Sequence, residues 1–341
     1  MLERVRTLAD LIDRAADKWP EKEAIVFKGE RIAYKEVQSR ANKLATGFLK
    51  LGLKKGDKIA IWLSNIPEFI YTEFAVFKIG ATMVPLNTRF KTMEMAYILK
   101  QSDSTTLVML DSFLGLDFMG MIREVCPELS RCKPGELKSE RLPLLRNVIC
   151  VSKKRHEGMF SYDEIMGWAQ APRLEEALRK AQDSVEPDDI ANIPYTSGTT
   201  GFPKGVMTSH HQYVLEVQTT GERVGIKEGD HINGAPPFCF NFGNIMGPLM
   251  CAMFGATLIP MEFWDPEEAL RLIQDKKCTH FTGAPTMYTM IMERPDFDKF
   301  DLSSLRTGII AAAPAPVGLI NMIFEKMGVR KPYRRLRDDR E

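Results

Sequence analysis

The sequence predicts an α/β fold built on a parallel, doubly wound sheet, and two observations predict it. Helical and extended signals alternate through the first 110 residues, which is the rhythm of βαβ units, and the same rhythm resumes at Ile190. Glycines stand where helices of that rhythm must stop, at Gly52 and Gly80.

Taken in order, residues 24–33 read as a hairpin turning on Lys28-Gly29. Val37, Ala41, Leu44, Ala45 and Phe48 follow helical spacing up to Gly52. Residues 58–63 (KIAIWL) form a buried strand, 67–78 a helix, 81–86 a strand, 93–100 a helix and 106–110 a strand. Residues 111–147 are irregular and charged and read as a surface excursion. A strand at 148–152 follows, then an exposed, helix-rich connector to about Asp189. The division this implies is a first doubly wound subdomain over 1–189 and a second over 190–329, with a charged tail at 330–341.

Composition narrows the function classes. The 341 residues are 44% hydrophobic and 27% charged, which excludes wholesale disorder and collagen-like or mucin-like fibres. Lys+Arg number 46 and Asp+Glu 45, so the large basic excess of a nucleic-acid binder is missing and a small-molecule ligand is favoured. None of the six cysteines forms a C-x-x-C pair, which reads as reduced thiols and a cytoplasmic location. The N-terminus is charged throughout and has no apolar signal core. Residues 232–261 carry no charge and are long enough to span a bilayer, but Pro236, Pro237, Pro248 and Pro260 would leave too many backbone groups unpaired in lipid. That stretch reads as a buried loop, a short buried helix and a strand, so no transmembrane segment is expected.

The most informative segment is 192–210, NIPYTSGTTGFPKGVMTSH. Thr196, Ser197, Gly198, Thr199, Thr200 and Gly201 place four hydroxyls and two glycines in six positions, followed by Pro203, Lys204 and Gly205. Glycines let successive N–H groups point one way, hydroxyls add donors, and Lys204 adds a cation on a flexible stem. Such a loop suits a polyphosphate. It has neither the Walker A spacing nor a G-x-G-x-x-G fingerprint. The adjacent His210-His211 pair is poorly spaced for two metal ligands on one helix face, so His210 reads as structural.

YTSGTTGFPKG resembles the phosphate loop of the AMP-forming adenylating enzymes, the superfamily of acyl-CoA synthetases, luciferases and peptide-synthetase adenylation domains. The resemblance runs also through 78–99 (KIGATMVPLNTRFKTMEMAYIL), Ser209-His210, Gly283-Ala284-Pro285-Thr286 and 302–316 (LSSLRTGIIAAAPAP), and covers residues 5 to about 328. It implies two doubly wound subdomains with the loop where they meet. It also implies the chemistry of an acyl-CoA synthetase: a carboxylate attacks the α-phosphate of ATP, pyrophosphate leaves, and coenzyme A takes the acyl group from the adenylate. ATP, Mg²⁺ and coenzyme A are the partners so implied. Thr196, Ser197, Gly198, Thr199, Thr200, Gly201 and Lys204 then grip the ATP phosphates.

The same resemblance places the acyl pocket at 236–243, with Phe240, Asn241, Gly243 and Met246 as its candidate residues. Phe240 stands where many acyl-CoA synthetases have His, as in some aryl-acid ligases. No Asp lies between Gly234 and Met261 to pair a substrate ammonium, which disfavours an amino-acid substrate. Met246, Met250 and Met253 are spaced i, i+4, i+7, either ordinary core or the wall of a channel for a flexible acyl chain. A fatty or other hydrophobic acid is the first expectation and an aryl acid the second. Ala311, Ala312, Ala313 and Pro314 occupy the adenine-contacting segment, which in the family resembles G-G-A-P; Ala312, Ala313 and Pro314 are the candidate contacts.

The family continues past this point with an aromatic-Gly-x-Thr-Glu segment whose acid helps hold Mg²⁺, an Asp for the ribose, and a small C-terminal domain carrying a catalytic Lys. This sequence shows none of them; it has RKPYRRLRDDRE at 330–341, nine of the twelve residues charged. The expectation is therefore a truncated N-terminal domain lacking the later β-barrel part and the small C-terminal domain, with no complete catalytic set and no metal-ligating residues. The first expectation is an acyl-CoA synthetase whose truncated form makes little or no acyl-adenylate alone; the alternative is a non-catalytic ATP-binding remnant or interaction module. The sheet containing 190–316 would be left with an open edge and a tendency to self-associate.

Overall fold

A computed structural model describes residues 5–168, 172–196, 202–329 and 331–334. The chain forms two compact units, Met1–Asp17 with Lys35–Val214 and Lys18–Tyr34 with Leu215–Glu341. Each unit is a mostly parallel seven-stranded sheet with helices, the doubly wound α/β class read from the alternating pattern.

The first unit's sheet has the strand order Thr208–Ser209, Ile190–Asn192, Thr82–Pro85, Lys58–Trp62, Ser104–Leu110, Asn147–Val151, Phe160–Ser161. Every pairing is parallel except that of Thr208–Ser209 with Ile190–Asn192. Its central strands are buried on both faces, which is why 59–63 and 83–86 read as unbroken apolar runs. The helix Pro67–Lys78 begins at Pro67, whose missing N–H costs nothing in a first turn, and Gly80 follows it at φ +68°.

The second unit's sheet has the order Lys331–Arg334, Thr307–Ile310, His280–Gly283, His231–Gly234, Thr257–Pro260, Glu23–Phe27, Glu30–Ala33. All neighbours are parallel except the terminal hairpin, which turns on Lys28 at φ +47° and Gly29 at φ +89° as its sequence predicts.

Four expectations from the sequence differ from this architecture. The compact units do not part at 189/190. Ile25 pairs with Leu258, Thr257 Oγ1 donates to Glu23 O at 2.8 Å, and the Tyr34 hydroxyl lies 2.6 and 2.5 Å from the carbonyls of Cys251 and Ala256, so 18–34 belongs with the second unit. Second, 111–147 is not a surface excursion. It holds the helix Phe118–Val125 and a 3₁₀ turn at Pro127–Ser130, and Leu129, Leu137, Leu142 and Leu145 are buried in the first core with Phe118, whose ring stacks on Trp62 at 3.8 Å. Charge in the turns masked those widely spaced leucines. Third, the tail at 330–341 is not wholly apart from the fold: Lys331–Arg334 is a parallel edge strand on Thr307–Ile310. Pro332 is tolerated there because an edge position need not donate in both directions. Fourth, 190–209 and 231–310 lie in different sheets, so no single sheet contains 190–316.

Candidate functional site

The phosphate-loop candidate is a hairpin in the first unit. Ile190–Asn192 runs parallel to Thr82–Pro85, and the chain leaves the sheet at Ile193, whose N–H bonds Met83 O at 2.9 Å. Tyr195–Thr196 then pairs antiparallel with Lys204–Gly205, Val206 N donates to Pro194 O at 3.0 Å, and Thr208–Ser209 returns beside Ile190–Asn192. The result is one interrupted ribbon projecting past the carboxyl end of a parallel strand, the place where doubly wound sheets bind ligands.

Thr196 and Lys204 face each other across this ribbon and both side chains are exposed. Ser197, Gly198, Thr199, Thr200 and Gly201 lie outside the described residues. The absence of a side chain at Gly205 has a steric cause: a Cβ there would fall 2.7 Å from Ile193 Cγ2 and 3.0 Å from the Tyr195 ring. Tyr195 is 6% exposed and its hydroxyl bonds Gln101 Oε1; burial first, and then the neighbouring Tyr97, pushes its phenol up to about 12. On the other arm the Phe202 ring stacks on Tyr97, with centroids 5.0 Å apart and planes at 27°. Sequence reasoning assigned no role to Tyr97, which lies within the 78–99 resemblance segment, or to Gln101, which lies just beyond it.

His210 opens the helix His210–Val224 and is fully buried. Its Nδ1 accepts the Leu8 N–H at 3.2 Å, so the neutral ring carries its proton on Nε2, and burial pulls its pKa down to about 4. It ties the N-terminal helix to the first unit and is unsuited to proton transfer near neutrality.

In the second unit three adjacent parallel strands, His231–Gly234, His280–Gly283 and Thr307–Ile310, deliver their following loops to one carboxyl edge. Those loops carry the 236–243 segment, Gly283-Ala284-Pro285-Thr286 and 311–316. Ala312, Ala313 and Pro314 are exposed, and Ala312 has φ +71°. An L-residue is strained in that left-handed region, where the family resemblance places a glycine.

Phe240 is 41% exposed and precedes the short helix Asn241–Asn244. Gly243 is packed so closely that a Cβ would sit 2.2 Å from Pro237 O. Pro248 has no N–H to continue the helix, and the ladder slips into a π turn at Ile245–Leu249, with Met250 N bonding Ile245 O. Met246, Met250 and Met253 are all buried, and Met250 Sδ lies 2.7 Å from where a Cβ on Gly221 would be. Met250 therefore packs in the core against the helix His210–Val224. Sequence periodicity missed the strand His231–Gly234 within the uncharged stretch. No helix among the described residues is long and apolar enough to cross a membrane, all six cysteines are free, and no group of three or more His, Cys, Asp or Glu among the described residues could hold a metal.

The pattern of the AMP-binding enzymes matches residues 12–333. YngI of Bacillus subtilis (strain 168), named as a candidate acyl-CoA synthetase, is 38% identical over 326 residues, covering 95% of this chain and 59% of its own length. The mitochondrial medium-chain acyl-CoA ligase ACSF2 of Danio rerio is 34% identical over 330 residues, covering 95% of this chain and 54% of its own. The chain thus spans between half and three fifths of these relatives. Among solved structures, the anthranilate CoA ligase AuaEII in complex with anthranoyl-AMP superposes with TM-score 0.83 at 25% identity, over 96% of this chain and 59% of that one.

Proposed function

This chain belongs to the AMP-binding enzyme family, and we propose that its 195–205 hairpin grips the triphosphate of ATP in an acyl-CoA synthetase reaction. The observation that carries the proposal is the pairing of Tyr195–Thr196 with Lys204–Gly205 past the carboxyl end of a parallel strand, two arms that flank a Ser/Thr/Gly-rich sequence.

The first step turns on gripping the triphosphate and answering charge as it develops. A carboxylic acid, with a solution pKa of about 4, is already ionised at pH 7 and needs no general base. Its oxygen forms a bond to the α-phosphorus while the bond to the pyrophosphate oxygen breaks. Charge grows on the leaving group, and loop N–H groups, hydroxyls and the Lys204 ammonium answer it by position and electrostatics. In the second step the thiol of coenzyme A displaces AMP from the acyl-adenylate. Mg²⁺ accompanies ATP in this reading, although no group of three or more His, Cys, Asp or Glu among the described residues could hold it.

The proposed acid is fatty or otherwise hydrophobic. Support comes from the absence of charge over 232–261 and from the medium-chain ligase among the relatives. An aryl acid is the second reading, favoured by Phe240 and by the anthranilate ligase among the structures. A cytoplasmic location, and self-association through the Lys331–Arg334 edge, belong to the same proposal. Acid-dependent exchange of pyrophosphate into ATP tests it on this chain. Exchange with octanoate or decanoate supports the fatty acid, and exchange with benzoate or anthranilate alone selects the aryl acid. ATP bound without exchange leaves a nucleotide-binding module.

A further inference from the structure

Helix Thr92–Gln101 touches both arms of the phosphate hairpin. Gln101 accepts the hydroxyl of Tyr195 on the entering arm, and Tyr97 stacks under Phe202 on the returning arm. Tyr97 and Gln101 are i and i+4, neighbours on one helix face, so a single rigid turn spans the mouth of the loop.

The two holds differ in kind. Tyr195 is buried, and its ring packs with Ile193 among the first unit's core residues. Phe202 is 68% exposed, and beside it opens a cleft of about 420 Å³ whose lining includes Met93, Lys100, Leu142 and Pro203. One ring face of Phe202 is therefore stacked while its surroundings stay open. Phe202 stands two residues before Lys204, with Pro203 between them restricting the backbone. Fixing the Phe202 ring consequently limits where Lys204 can reach.

We propose that Tyr97 and Gln101 are positioning residues for the phosphate loop: Gln101 fixes its entering arm and Tyr97 clamps its returning arm, presetting Lys204 for the phosphates. This rests on the reading of 195–205 as an ATP loop, yet part of its test does not need ATP. Phosphate affinity then depends in part on a helix outside the hairpin.

The experiment uses the full chain and four variants, Tyr97→Ala, Tyr97→Phe, Gln101→Leu and Lys204→Ala. Two quantities are read: the Kd of a non-hydrolysable ATP analogue, and amide hydrogen exchange of a peptide covering 195–206 without nucleotide. Tyr97→Ala is expected to speed exchange in that peptide and, with one aromatic stack lost, to raise Kd by roughly three- to tenfold. Tyr97→Phe keeps the ring and should match the parent in both. Gln101→Leu should speed exchange chiefly at the entering arm. Unchanged exchange in both Tyr97→Ala and Gln101→Leu overturns the clamp, whatever the nucleotide does. Unchanged Kd in Tyr97→Ala alongside a weakened Lys204→Ala overturns it while leaving the ATP loop standing. Unchanged Kd in Lys204→Ala removes the ATP reading itself, and faster exchange in Tyr97→Ala would then show a clamp on a loop of another use.

Discussion

His210 shows what a single residue's surroundings decide. Next to a candidate phosphate loop, a histidine invites a catalytic role, yet its Nδ1 is taken by the Leu8 N–H and burial lowers its pKa to about 4. The unfolded imidazole titrates near 6.5, so between about pH 6.5 and 4 the unfolded chain binds a proton that the folded chain refuses. Stability is then full above pH 6.5 and falls on acidification, with His210 contributing a slope of up to about 1.4 kcal/mol per pH unit. Buried His280, lowered to about 4 in the other unit, adds a similar dependence. His210→Asn keeps an acceptor for Leu8 without the titration; urea midpoints at several pH values should fall less steeply with acid in this variant, and an identical slope contradicts the assignment. Ala312 makes the opposite point, since its φ of +71° strains a side chain that glycine would lack. Ala312→Gly should raise stability by up to about 1 kcal/mol once glycine's own entropy cost is set against the relieved strain. A lowered urea midpoint would contradict this. The structural part of His210 was legible in its spacing, whereas the strain at Ala312 needed the backbone.

At the scale of elements, legibility followed local physics. The hairpin on Lys28-Gly29, the helix Pro67–Lys78 and the stops at Gly52 and Gly80 depend on residues close in sequence, and their signals are in the sequence. What the sequence hid depends on partners far along the chain. Leu129, Leu137, Leu142 and Leu145 are buried by helices that their own spacing does not announce, and the π turn at Ile245–Leu249 shifts the methionines off the regular helix their spacing suggested. Two glycines with the same backbone sign separate these cases. Gly29 has open space around it, so Gly29→Ala should cost only the left-handed penalty, about 1–2 kcal/mol. At Gly255, φ +70°, a Cβ would lie 2.5 Å from the Trp19 ring, and Gly255→Ala adds overpacking for a total of about 2–5 kcal/mol. Denaturant midpoints should place Gly255→Ala well below Gly29→Ala, and equal midpoints would contradict the packing of Trp19 on that turn.

For the whole molecule, the fold class was legible and the assignment of strands to sheets was not. Alternation announced parallel sheets, but nothing local says that 23–33 pairs with 257–260 while 190–209 joins the strands of 58–110. Those are long-range choices made by core burial. The candidate residues fall in separate units: Thr196 and Lys204 belong to the first, and Phe240, Asn241, Gly243, Met246, Ala312, Ala313 and Pro314 to the second. The central claim concerns the first of these groups and is tested directly by titrating ATP into the full chain and into Lys204→Ala, with thermal unfolding as the control for folding. One saturable site is predicted. Losing a charge-assisted contact worth about 1.5–3 kcal/mol should weaken it by roughly ten- to a hundredfold at an unchanged melting temperature. Equal affinity in the two proteins, or no binding to either, would contradict the account.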